Sequence, residues 1–124
     1  MYINKKNYWV QLRYLDKILK KILLHSRINI FKIFVENVRF NKNSKILDVG
    51  TTPILDSHEN IIFHQYKWSN NITGFSNQNC NILKKKFKTN KFIIGDAKNM
   101  KLRKNIFDIS FCSATIEHVG SYAN

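Results

Sequence analysis

Residues 45–53 read Lys45-Ile46-Leu47-Asp48-Val49-Gly50-Thr51-Thr52-Pro53. Ile46, Leu47 and Val49 favour extended backbone, and the run ends where Gly50 permits a turn. Pro53 fixes its own φ and offers no N–H, so the segment stiffens directly after the turn. A short apolar strand running into a glycine turn is how α/β nucleotide-cofactor domains bring backbone close to a ligand. The stretch therefore predicts the first strand of such a domain, opening after Asn41-Lys42-Asn43-Ser44.

The pattern continues downstream in the same style. Asp56-Ser57-His58-Glu59 has the Asp-x-x-Glu form of a capping box and predicts a helix reaching about Trp68. Asn70-Asn71 marks a turn before a second strand at Ile72-Thr73-Gly74-Phe75. A helix is expected over Asn77 to Phe87, with Lys84-Lys85-Lys86 suiting its C-terminal end. Phe92-Ile93-Ile94 reads as a third strand ended by Gly95-Asp96, and Phe107 to Cys112 as a fourth. The weak alternation of that fourth run predicts burial on both faces. Strands alternating with helices imply a parallel sheet, whose ligands bind beyond the carboxyl ends of the strands. Those ends are Asp48 to Thr52, Ser76 to Asn77, Asp96 to Ala97 and Ser113 to His118.

Upstream, residues 8–24 have helical periodicity: Tyr8, Leu12, Leu15, Leu19 and Ile22 share a face with Ile18 and Leu23. A second amphipathic segment at about 28–39 carries Phe31, Phe34, Val35 and Val38 on one side. Both apolar stripes are narrow, so two helices packing against the following domain are expected. A basic amphipathic helix lying on an acidic membrane is the lesser reading. The chain thus divides into an N-terminal helical segment, 1–44, and an α/β segment, 45–124.

The 124 residues allow one domain, and 44% hydrophobic content supports a packed core. The formal charge of +13 invites a nucleic-acid or membrane reading. Lysines, however, are scattered from Lys5 to Lys104, and Asn and Ile are inflated alongside them, as an AT-rich coding bias would produce. A small basic nucleic-acid-binding or interaction module therefore stays an alternative, not the leading reading. Cys80 and Cys112 have no CxxC spacing, and His25, His58, His64 and His118 are scattered, so no metal site is expected. No signal-type leader and no window of transmembrane length is visible, and the chain reads as cytoplasmic.

ILDVGTTP (46–53), ITGFSNQ (72–78), FIIGDAKNMKL (92–102) and FDISFCSATIEHVG (107–120), in that order, resemble the first four motifs of class I S-adenosylmethionine-dependent methyltransferases of the type 11 group. The resemblance covers about Lys45 to Asn124. It implies a Rossmann-like α/β fold preceded by N-terminal helices, with S-adenosyl-L-methionine as cofactor and a small-molecule methyl acceptor. It also implies a set of cofactor-binding residues. Gly50 and Thr51 would lie against the amino-acid tail, with Asp48 offsetting positive charge. Ser76 stands where the family has an acid that grips the ribose. Asp96 and Ala97 would hold the adenine, and Ser113 and Ala114 would lie near the sulfonium. In Glu117-His118-Val119, His118 is the weak candidate for a general base. Two departures are visible. Ser76 can make one ribose bond but not a carboxylate's pair, and Thr51-Thr52-Pro53 replaces a glycine-rich continuation.

The family's sheet has seven strands, and about four are counted here, which predicts an incomplete methyltransferase domain, or an inactive remnant of one. A Rossmann dehydrogenase would need Gly-x-Gly-x-x-Gly after the first strand and an acid after the second, and both are absent.

Overall fold

The computed structural model describes residues 5–113 and Thr115, with side chains from Tyr14 onward. A single helix, α1 (Lys5–Asn37), spans 33 residues where two helices were expected. The join at Ser26-Arg27 contains neither Gly nor Pro, so nothing interrupts the backbone ladder between the two amphipathic stretches.

Four short strands follow: β1 (Ile46–Val49), β2 (Ile72–Ser76), β3 (Lys91–Ile94) and β4 (Ile109–Phe111). Each coincides with a run expected to be extended, with no end shifted by more than two residues. The helices between them are shorter than expected: α2 (Ile61–Gln65) has five residues and α3 (Asn81–Lys86) has six. The Asp56–Glu59 segment closes only a turn, with Glu59 N–H donating to the Asp56 carbonyl at 3.0 Å. Helix α2 begins after Asn60, whose side chain is bonded to the preceding loop and gives the helix no cap. Similarly, Gln78 N–H turns back to the Ser76 hydroxyl at 3.1 Å, so the chain leaves β2 in a turn and α3 starts four residues later than expected.

All strand pairs are parallel, in the order β3-β2-β1-β4. Ile46 lies opposite Ile72 on one side and Ile109 on the other. The chain steps outward from β1 to β2 to β3, then returns to place β4 on the far side of β1. The direction reverses between β1 and β4, and the carboxyl ends there frame a topological switch point. Asp108 staples the start of β4 to the start of β1: its carboxylate accepts from Lys45 N–H at 2.7 Å, and its own N–H donates to the Lys45 carbonyl at 2.9 Å. Strand β4 was expected to be buried on both faces. Among the described residues it is an outer strand, with Phe111 buried and Ser110 exposed.

The main core joins α1, α2 and one face of the sheet: Phe34, Ile46, Ile61, Ile62, Phe63, Tyr66, Ile72 and Phe111. Phe34 meets Phe111 edge-on at 5.0 Å and stacks near Phe40 at 6.0 Å, which ties α1 to β4. Leu24, Ile28 and Phe31 of the same helix pack at its margin. Of the apolar residues expected to dock the earlier half of the helix, Tyr8 and Leu12 lie outside the described side chains, and Leu15, Ile18, Leu19, Ile22 and Leu23 do not dock. Every residue from Tyr14 to Leu23 is exposed. The architecture is α/β, helices with an all-parallel four-stranded sheet, compatible with a Rossmann-like fold.

This division of α1 has a measurable consequence. Phe34→Ala removes a buried ring and should cost about 3 kcal/mol in urea unfolding. Ile18→Ala should change stability by less than about 0.5 kcal/mol. Equal losses would contradict the packing described.

Candidate functional site

The switch point opens into a cleft of about 530 Å³, a size suited to a small cofactor. Residues after all four strands reach it: Asp48 to Ile54, Asn77 and Gln78, Gly95 to Lys98, and Ser113 with Thr115. From α1, Arg27 joins them, and Glu59, Asn60 and Ile61 close the side next to α2.

Asp48 sits at the third position of the central strand, paired with Gly74 on one side and Phe111 on the other, and is only 6% exposed. Burial lifts its pKa from 3.8 to about 6, against the lowering pulls of the Thr51 hydroxyl and the Arg27 charge. Thr51 Oγ1 donates to Asp48 Oδ2 at 2.6 Å. Arg27 reaches across from α1, and its Nη1 donates to the Ser113 hydroxyl at 2.6 Å and to the Ser113 carbonyl. A carboxylate and a guanidinium therefore share the mouth of the switch point.

The turn after β1 is fixed by hydrogen bonds that leave it few donors. Gly50 has φ of +94°, a region other residues enter at a cost. A Cβ there would lie 1.6 Å from Thr115 Oγ1, so no larger side chain fits. Gly50 and Thr51 N–H both donate to the Phe75 carbonyl, at 2.9 and 3.1 Å. Thr52 N–H donates to Asn60 Oδ1 at 3.0 Å, and Asn60 Nδ2 returns bonds to the Thr52 and Ile54 carbonyls. Pro53 has no N–H to offer. All the backbone donors of residues 50–53 are thus spent inside the protein. The Thr52 hydroxyl, by contrast, is buried without a hydrogen-bond partner among the described residues.

On the β3 side, Asp96 is exposed and holds its own loop, with Oδ1 accepting from Lys98 N–H at 2.9 Å. Its other carboxylate oxygen accepts no bond among the described residues, and Ala97 lies beside it in the cleft lining.

Of the residues singled out from sequence, Asp48, Gly50, Thr51, Asp96, Ala97 and Ser113 come together in this cleft. Ser76 does not line it. Ser76 is 4% exposed, and its hydroxyl accepts from Gln78 N–H, so Asn77 and Gln78 face the cleft in its place. Ala114 and His118 lie outside the described residues. Arg27 and Asn60 were not foreseen. Asn60 follows a capping-box pattern that pointed to Asp56 instead. Arg27 acts 86 positions away from Ser113, beyond any local signal. No cluster of His, Cys, Asp and Glu that could hold a metal ion occurs among the described residues.

Comparison of the chain with protein-family models, with curated proteins and with solved structures finds no match to any of them.

Two outcomes follow from this geometry. In the unfolded chain Asp48 loses its proton near pH 4, and in the folded protein it keeps it to about pH 6. Stability should therefore fall as pH rises through that window and level off above it, by roughly 3 kcal/mol in total. Urea midpoints from pH 4 to 8 for wild type minus Asp48→Asn isolate this term, and a flat difference would refute it. Thr51→Val, lacking the bond that favours the charged form, should leave the onset near pH 4 and extend the fall to higher pH. Separately, Asn60→Ala should cost about 2 kcal/mol by leaving loop donors and acceptors unpaired in a partly buried setting.

Proposed function

We propose that the chain carries the cofactor site of a class I S-adenosylmethionine-dependent methyltransferase, similar to the type 11 group, acting on a small-molecule acceptor. The observation that carries this reading is the exhausted turn at Gly50 to Pro53. Dinucleotide and P-loop sites need free N–H groups after the first strand, usually at a helix N-terminus, to receive phosphate. Here those groups are bonded to Phe75 and Asn60, and the next helix begins only at Ile61. A cofactor with no phosphate and a charged amino-acid tail suits such a turn.

The remaining groups fit the same cofactor part by part. Arg27 and Asp48 offer opposite charges to an α-carboxylate and an α-ammonium. Asn77, which lines the cleft where Ser76 does not, suits a ribose hydroxyl, since an amide side chain both donates and accepts. The free oxygen of Asp96 suits the exocyclic amine of adenine, and Ala97 N–H suits a ring nitrogen. The order β3-β2-β1-β4 supports the reading as well, since it sets all these loops around one switch point.

The sulfonium supplies an activated methyl group when bound, so the protein has little bond-making to assist. What this chain's residues contribute is alignment and charge: Arg27 and Asp48 fix the tail, and Asp96 fixes the far end. Ionised Asp48 favours a cationic centre nearby. Ligand affinity should therefore rise as pH passes through about 6.

Calorimetric titration with S-adenosylhomocysteine tests the proposal. Saturable binding is expected, weakened roughly tenfold or more by Arg27→Gln or Asp96→Asn and less by His118→Ala. No heat at millimolar ligand, or tighter binding of a nicotinamide dinucleotide, would overturn it. Retention of nucleic acid that weakens steeply with salt, without cofactor binding, would favour the basic-module reading instead.

A further inference from the structure

Helix α1 presents two different faces along its length. Its C-terminal half turns Leu24, Ile28, Phe31 and Phe34 onto the sheet. In its N-terminal half, Tyr14, Leu15, Ile18, Leu19, Ile22 and Leu23 are 38–66% exposed. At about 100° per residue these six fan across roughly half the helix, centred nearly opposite the packed stripe. Ile30 and Ile33 continue the same outer face, at 39% and 60% exposure. The stripe is therefore long, continuous and directed away from the sheet, and nothing among the described residues packs over it. Contiguous exposed apolar surface of this kind marks a docking face.

The charges around the stripe select its occupant. Lys17, Lys20 and Lys21 line the polar side over the same stretch, with Lys32 further along, against Asp16, which is engaged with Lys20 at 3.5 Å, and Glu36 near the helix end. A second copy would bring another lysine-rich helix alongside, in a chain whose formal charge is already +13. An anionic lipid surface complements both features: acyl chains accept the apolar stripe, and lysine stems reach up to the headgroups. The domain, on the opposite face, would stand clear of the bilayer with its cleft open to water. No helix among the described residues is long and apolar enough to cross a membrane, so the contact is one of lying on the surface.

We infer that the outer face of α1, centred on Ile18 and Ile22, docks the protein flat onto anionic membranes. Because the inference depends on α1 alone, it stands or falls separately from the cofactor reading. Co-sedimentation of the full chain with phosphatidylcholine vesicles, with or without about one-third phosphatidylglycerol, provides the test. Roughly tenfold more protein should pellet with the anionic vesicles, less so at high salt, and Ile18→Asp/Ile22→Asp should abolish the effect. Both positions are exposed, and circular dichroism with the urea midpoint verifies that the double variant stays folded. Failure to bind either vesicle, equal binding to both, or binding unchanged in the double variant would overturn the inference. So would a dimer in sedimentation velocity that the same variant converts to monomer, since the face would then belong to a second copy.

Discussion

A carboxylate at the centre of a parallel sheet is expensive to bury, and the structure around Asp48 is organised by that expense. Ionised, it must be met by partners, while burial favours its protonated form; its pKa near 6 reflects the balance between that burial and the pulls of Thr51 and Arg27. Its partners come from two directions. Thr51 arrives because the chain reverses at Gly50 and is pinned by the Phe75 carbonyl. Arg27 arrives because α1 is docked on β4 through Phe34 and Phe111, with Ser113 receiving the guanidinium. Core packing, turn geometry and helix placement therefore meet at one side chain, which also lines the cleft.

The same economy accounts for the low glycine content after β1. A glycine-rich phosphate loop keeps its N–H groups directed outward, and each additional glycine lets backbone approach the ligand. In this protein the loop is held inward, by β2 on one side and Asn60 on the other. Once Gly50 has made the reversal, residues 51–53 need no left-handed backbone, and none of them has positive φ. Thr51-Thr52-Pro53 is thus a consequence of a turn braced against its own sheet. The departure from the glycine-rich pattern and the absence of backbone phosphate donors have a common cause.

The strands were legible because each is a short apolar run bounded by turn residues, and buried parallel strands have that appearance wherever they occur. Asp48, Gly50, Thr51, Asp96, Ala97 and Ser113 were legible because they stand at strand ends, where parallel sheets gather ligands. Other features were hidden for definable reasons. A capping box is a local pattern, and here Asn60 overrode it by bonding to the loop. Ser76 ends β2 one residue later than expected, and its hydroxyl is consumed by Gln78 N–H, a bond that one residue of strand length decides. Arg27 belongs to a helix whose register on the sheet is set by Phe34, and no sequence window contains both Arg27 and Asp48.

The apolar periodicity of α1 is instructive for the opposite reason, since it was legible but directed to the wrong neighbour. The stripe of residues 8–24 and the stripe of about 28–39 each satisfy a helical period, and only their relative phase separates the face that packs from the face that does not. A break between two helices would have let both stripes turn toward the sheet. The continuous backbone through Ser26-Arg27 forbids it: once Phe34 is seated against Phe111, the azimuth of every earlier residue follows from 3.6 residues per turn. The N-terminal half remains helical because extending an existing helix incurs no nucleation cost. Its apolar side then faces outward as a direct result of the packing that brings Arg27 to Ser113 and the cleft.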